Sequence, residues 1–447
     1  MKSNKIFLLL SISAVILFAE SCKKSFFTDV NINPNVPKEV APNLILPTAE
    51  AALGYTQGGD ISRFTSLITQ QVFGANSQSQ AYYAYGLNPG TFDNLWPDLY
   101  TSTIINLDTL KNEADQRGDN VYSGISRILM AYTLQVAVDL WGKIPYSQAV
   151  KGNANLHPAY DDDKALYDTI ASLVNVGISK LNDPKQGILT PAADDGVYAG
   201  DPNKWIKFGH AIKARLYIHQ SKGDPAIAQK ALDEVALSFT NNSQNAQYTF
   251  GVAETAANPW YQFIRDRPGD ETFDNSTLLL RLQSMNDPRY DAFVDASGSL
   301  NTFYGSVNSP VEFITYDELL FMKAEATLRI SGDYAAAQGF YRMAITANMQ
   351  KLGIIQPAID TYLIAYGTLP TTSVTAAIAQ VADQEFIALY LNPEAWVLWR
   401  RTGSPMLTPT GPGAIPRRLL YPQSEYSYNG ANTPASTLYT PLIFWDK

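Results

Sequence analysis

The stretch FITYDELLFMKAEATLRISGDYAAAQGFYRMAITANMQK, Phe313 to Lys351, decides the architecture. Thr315 and Glu318 have the spacing of a capping box ahead of an apolar run, which predicts a helix start. Gly332 stops that helix, because a glycine after the last turn reaches the left-handed conformation that satisfies free carbonyls. Asp333-Tyr334 then open a second helix. The pattern predicts helices over 316–330 and 334–352, joined by a turn short enough to make them antiparallel neighbours.

Working outward, Ala337, Tyr341 and Ala344 fall where a tetratricopeptide hairpin places its small, aromatic and small packing residues. A second pair turns at Gly223-Asp224, with Ala228, Leu232 and Val235 in the matching places. The two hairpins are far apart in the chain, so they are degenerate repeats inside a larger fold. Ile61, Phe64, Leu67, Ile68 and Val72 share one helix face, started by Asp60 and stopped at Gly74. Val121 to Leu140 is apolar on nearly every side and predicts a helix buried among helices. Further helices are expected over 161–181, 204–222, 225–238, 374–391 and 393–402. Strand signals are few and short. The expected fold is mostly α: one large helical domain with tetratricopeptide-like hairpins and long irregular loop insertions.

The chain has 447 residues, 46% of them hydrophobic and 17% charged, enough to bury a sizeable core. Lys2 and Lys5, the apolar run Ile6 to Phe18 and the small Ser21 read as a secretory signal peptide over residues 1–21. Cys22, the chain's single cysteine, stands at the cleavage point. Alone it makes no internal disulfide and no cysteine zinc cluster, whereas acylation there would hold the protein at a membrane. Residues 22–41, rich in Asn and Pro, are expected to form the lipid anchor and an extended tether, and 42–447 the functional domain. The net charge of −9 argues against nucleic acid as a partner, since phosphate contacts need clustered Lys and Arg.

Motifs for catalysis are missing from the sequence. There is no nucleophile elbow, phosphate-binding glycine loop or dinucleotide fingerprint, so no cofactor is expected. His157, His210 and His219 lack two-histidine zinc spacing, and no metal is expected. Asp161, Asp162 and Asp163 read as a solvated helix start. Trp396, Trp399, Arg400 and Arg401 read as core packing closed by a cationic last turn. Two distant carboxylates could still meet in space, which keeps a glycoside hydrolase as the alternative to a binding protein without enzymatic activity.

One stretch reads as a ligand site: QSQAYYAYGLNPG, Gln78 to Gly90. Tyr82, Tyr83 and Tyr85 offer aromatic faces that suit sugar rings, beside Gln78, Gln80 and Asn88 for their hydroxyls. The competing reading is a loop whose tyrosines cover neighbouring helices. A second stretch, NPWYQF at Asn258 to Phe263, offers Trp260 and Tyr261 either to a ligand or to packing.

Several long segments resemble the SusD/RagB outer-membrane lipoproteins, in their SusD-like branch. They are NINPNVP near the anchor, DLWGKIPYSQAV at Asp139 to Val150, GDPNKWIKFGHAIKARLYI at Gly200 to Ile218, NDPRY at Asn286 to Tyr290 and FITYDELLFMKAEATLR at Phe313 to Arg329. QEFIALYLNPEAWVLWRRTGSP at Gln384 to Pro405 and IPRRLLYPQSEYSYNGAN at Ile415 to Asn432 complete the set. The resemblance implies a helical fold with tetratricopeptide-like hairpins and a cell-surface lipoprotein of the outer membrane. It also implies a SusC-like TonB-dependent barrel as partner and an oligosaccharide, or a peptide, as ligand.

Overall fold

The computed structural model describes residues 40–183 and 187–446; the expected signal peptide, Cys22 and most of the tether lie outside the described residues. From Pro42 onward the chain is one compact unit. Helix α1, Pro42–Thr56, runs through a π-turn, Gln57–Ile61, into α2, Ser62–Ile68. A short strand β1, Phe73–Gly74, and helix α3, Ser77–Tyr83, follow. A second π-turn, Asp98–Ile104, leads into α4, Ile105–Arg117, and then come α5, Asn120–Trp141, and α6, Asp163–Leu181. Helices α7, Pro202–Gln220, and α8, Pro225–Ala236, form the first hairpin. The irregular middle of the chain holds β2, Ala246–Thr249, α9, Pro259–Asp266, β3, Glu271–Thr272, α10, Thr277–Ser284, and β4, Pro310–Ile314. The second hairpin is α11, Tyr316–Ser331, with α12, Tyr334–Lys351; α13, Gln356–Tyr366, α14, Val374–Ala388, and α15, Glu394–Thr402, close the helical body. The strands pair antiparallel, β1 with β3 and β2 with β4.

The hairpins pack as their spacing requires. Ala337, Tyr341 and Ala344 are buried against α11 and α13, and the Tyr341 hydroxyl donates to the Tyr366 carbonyl at 2.9 Å. Ala228 and Val235 are buried in the first hairpin, whereas Leu232 is only partly covered. Helix α5 is buried along almost its whole length, and α6 approaches it closely. A Cβ on Gly124 would lie 2.6 Å from Leu181 Cγ and 2.9 Å from the Gly177 carbonyl, so glycine is required there.

Buried charges hold the helices together and overturn two local expectations. Thr315 makes no side-chain cap, and Glu318 turns inward to accept from Arg215 at 2.8 Å and 2.7 Å. A buried guanidinium needs a counter-charge more than this helix start needs a cap from Thr315 and Glu318, since the Tyr316 amide donates to Asn245 Oδ1 at 2.8 Å instead. The three aspartates at α6 also do more than face solvent. Asp162 caps the helix by accepting from the Lys164 and Ala165 amides, but Asp161 accepts from the Tyr146 and Ser147 amides and Asp163 from that of Phe444. Trp396 is fully buried, with Arg400 4.1 Å above its ring, and Arg401 pairs with Glu325, in agreement with the core-packing expectation.

Candidate functional site

The site begins at a break in helix geometry. Asp60 does not start a helix; it sits within the π-turn that joins α1 to α2, and α2 ends at Ile68, short of Gly74. Gly58 and Gly59 cause the difference. Gly59 leaves helical geometry at φ −90° and ψ −112°, and a Cβ on Gly58 would come 2.2 Å from Val311 Cγ2. Such π-bulges re-aim the residues that follow them and recur at functional sites.

Arg63 is fixed on three sides. Its Nη1 donates to Asp60 Oδ1 at 3.1 Å, its Nε donates to Glu271 Oε1 at 3.2 Å, and its guanidinium lies 3.7 Å from the Phe263 ring centroid. Glu271 is buried and also accepts from Ser79 Oγ at 2.8 Å. Burial raises the Glu271 carboxyl, and Arg63 and Ser79 oppose that by favouring the carboxylate. Among the described residues, Arg63 Nη2 makes no hydrogen bond within the protein, which leaves its donors for a ligand.

Around Asp60 three lobes of one groove meet. The first, about 550 Å³, is lined by Arg63, Phe64, Gln78, Tyr82, Asn88 and Asn94 among others. The second, about 320 Å³, runs past Arg63 and Gln78 to Gln262, Phe263, Asp266 and Asp270. The third, about 440 Å³, lies between α1 and the second π-turn and is lined by Tyr55, Gly59, Asp98 and Ser102. Cavities of this size hold sugar rings, and polar groups that converge on an aromatic wall fix their orientation.

The structure divides the residues singled out in the sequence. Gln78, Tyr82 and Asn88 come together in the first lobe. Tyr82 is half-exposed, its ring edge-on to Phe64 at 5.2 Å, and burial raises its phenol so that it stays a neutral donor. Tyr83 turns to Phe73 and the core and does not line the groove. Tyr85 is buried with φ +63°, and its hydroxyl accepts from the Thr410 amide at 3.1 Å. Trp260 is also buried, its Nε1 donating to Ser62 Oγ at 2.9 Å. Tyr85 and Trp260 are therefore packed in the interior and line none of the three lobes. Tyr261 is half-exposed and donates to Glu254 at 3.2 Å, outside the three lobes. The expected loop at Gln78 to Gly90 is partly helical, since α3 occupies Ser77–Tyr83.

Asp60, Arg63, Phe263, Asn94, Tyr55 and Asp98 were not singled out from the sequence as site residues. The signal that could have found the first two is Gly58-Gly59-Asp60 inside an otherwise helical pattern, since helix-interior glycines mark a bulge or a close approach. Away from the groove, Asp139, His219 and Glu394 converge in the core with ligating atoms within 4.8 Å of one another. Both His219 nitrogens are engaged, Nδ1 with the Tyr167 hydroxyl at 2.8 Å and Nε2 with Glu394 at 2.8 Å, and Arg215 lies 3.5 Å from Glu394. That arrangement is a hydrogen-bonded core network.

Among the described residues, no helix is long and apolar enough to cross a membrane. A family model for SusD-like proteins, described as starch-binding and associating with the outer membrane, matches residues 34–305 and 298–422. The fold is similar to that of a SusD/RagB family protein from Bacteroides thetaiotaomicron, with TM-score 0.74 and 23% identity over 91% of this chain and 99% of the other. A chitin-binding protein gives TM-score 0.77 at 22% identity, over 91% of this chain and all 100% of its own. A Bacteroidetes SusD-like protein, AC2a, gives 0.78 at 18%, with the same coverage. No curated protein sequence matches. With the family model spanning most of its length and the helical fold in agreement, the chain belongs to the SusD-like family of starch-binding, outer-membrane-associated proteins.

Proposed function

We propose that this protein captures an oligosaccharide in the groove around Asp60 and passes it to a SusC-like TonB-dependent barrel, without cleaving it. The observation that carries the reading is the fixed Arg63, with free donors, facing Tyr82, Gln78, Asn88 and Asn94 across one open lobe. An aromatic face stacks on the apolar face of a sugar, and the amides and guanidinium pair with its hydroxyls. A structural relative bears the name chitin-binding protein, which supports a glycan over a peptide. Lipid on Cys22 would anchor the domain to the outer membrane, with residues 22–41 as tether and residues 1–21 removed as a signal peptide.

Calorimetry against a panel of neutral glycans, with the detergent-solubilised protein and its Tyr82→Ala and Arg63→Ala variants, tests the site. Weaker binding in both variants is expected; unchanged affinity in both would remove the groove from consideration, and binding of peptides alone would replace the sugar with a peptide. Fatty-acid labelling of the parent and Cys22→Ser tests the anchor, and co-purification of the barrel from mild detergent tests the partner.

A second reading is favoured by one observation: Asp60 and Asp98 line the same lobe, a pair of carboxylates of the kind a glycoside hydrolase uses. Chromatography of the incubated sugar separates the two readings, because only the hydrolase shortens it.

A further inference from the structure

The charges along the groove are paired except in one place. Asp60 is neutralised by Arg63 at 3.1 Å, Asp266 by Arg265 at 2.7 Å and Asp270 by Arg267 at 3.9 Å. Asp98, the first residue of the second π-turn, forms no ion pair among the described residues. Its lobe of about 440 Å³ is lined by Tyr55, Asp60 and Ser102 and by no basic side chain. Arg63 lines the other two lobes and is already committed to Asp60 and Glu271. A ligand entering the third lobe therefore meets an uncompensated carboxylate beside a compensated one.

We propose that Asp98 sets the charge of the ligand, so that the groove takes oligosaccharides that are neutral or amine-bearing and rejects those carrying carboxylates or sulfates. This rests on the reading of the groove as the glycan site. Hydroxyl and ammonium groups donate to a carboxylate, which is an acceptor only, whereas a uronate or sulfate brings like charge beside Asp98 in a lobe that holds no basic side chain to offset it. Burial and the charge of Asp60 both raise the Asp98 carboxyl, in keeping with a lobe that already resists negative charge.

The test takes the tightest neutral oligosaccharide of the panel and compares it with two counterparts of the same backbone, one oxidised to a carboxylate at C6 and one carrying an amine there. With the detergent-solubilised full chain, the carboxylated sugar is expected to bind at least about tenfold more weakly than the neutral one, and the amine at least as tightly. The ratio between carboxylated and neutral sugar should shrink towards unity in Asp98→Asn, and should shrink in the parent as salt rises. Equal binding of neutral and carboxylated sugars by the parent would overturn the proposal, as would a ratio that survives Asp98→Asn. Failure of the groove reading looks different: neutral sugar binding would then be indifferent to Tyr82→Ala. A panel in which only carboxylated or sulfated sugars bind would overturn the charge proposal while leaving the groove in place.

Discussion

The guanidinium of Arg63 lies over the ring of Phe263, 3.7 Å from its centroid, so a residue of α2 and one of α9 form a single wall of the groove. A lysine cannot reproduce that contact, because it lacks both the planar face and the fork that reaches Asp60 and Glu271 together. Arg63→Lys is therefore expected to keep the fold but to weaken glycan binding by about tenfold, measured by calorimetry. Arg63→Ala should in addition lose about 1–3 kcal/mol of stability, since it leaves Glu271 buried without its cation.

Tyr82 and Tyr85 stand three residues apart and should respond oppositely. Tyr82→Ala is expected to weaken binding several-fold, corresponding to about 0.5–1.5 kcal/mol, with a near-normal melting curve. Tyr85→Ala empties a buried site and is expected to destabilise the protein by about 3–5 kcal/mol. Thermal denaturation and calorimetry on both variants separate the two roles; a Tyr85→Ala protein of full stability would refute its placement in the core.

Arg215 and Glu318 are 2% and 1% exposed and joined by two hydrogen bonds. Removing either partner leaves a charge in the interior, so Arg215→Met should cost about 3–5 kcal/mol in urea unfolding. The double variant Arg215→Met/Glu318→Leu should recover part of that loss. A double variant no more stable than the single one would show that the remaining contacts of Arg215, such as its bond to the Phe313 carbonyl, dominate.

Glu50 gives a pH dependence with a definite sign. Its carboxyl is held well above 4.5, first by burial and then by the neighbouring Asp195. The folded protein therefore keeps this proton where the unfolded chain has lost it. Its contribution is fully present below the unfolded value and declines as pH rises from there to the folded value. Glu50→Gln removes the titration and should flatten the fall in unfolding free energy as pH rises above 4.5, ending above the parent at the alkaline end. An unchanged pH profile in the variant would contradict the assignment.

The helical body was legible because its signals are local. Gly332 and Asp333 mark the hairpin turn, and the structure's helices begin and end within a few residues of it. The groove was legible only where aromatics cluster in sequence, at Tyr82 with Gln78 and Asn88. Tyr85 and Trp260 carry the same chemistry and face inward, a matter of backbone conformation and long-range packing that composition does not encode. Asp60 and Phe263 meet through partners some 200 residues apart, beyond the reach of any local pattern. Glu318 has the spacing of a cap and serves a buried arginine instead, because tertiary charge pairing outweighs a local hydrogen bond.

The pairing of β1 with β3 has a kinetic consequence. It joins Phe73 to Thr272 and is flanked by the bond from Ser77 to Asp270, a separation of 193 residues, whereas the α11/α12 hairpin closes on itself within one turn. Closing a loop of that length costs chain entropy before the contact returns anything, so such pairings form slowly while local hairpins form early. The walls of the groove can come together only once the helices between them have condensed. A destabilised helical body would thus lose its ligand-binding surface before it lost its helix content, and refolding should restore the circular-dichroism signal ahead of sugar binding.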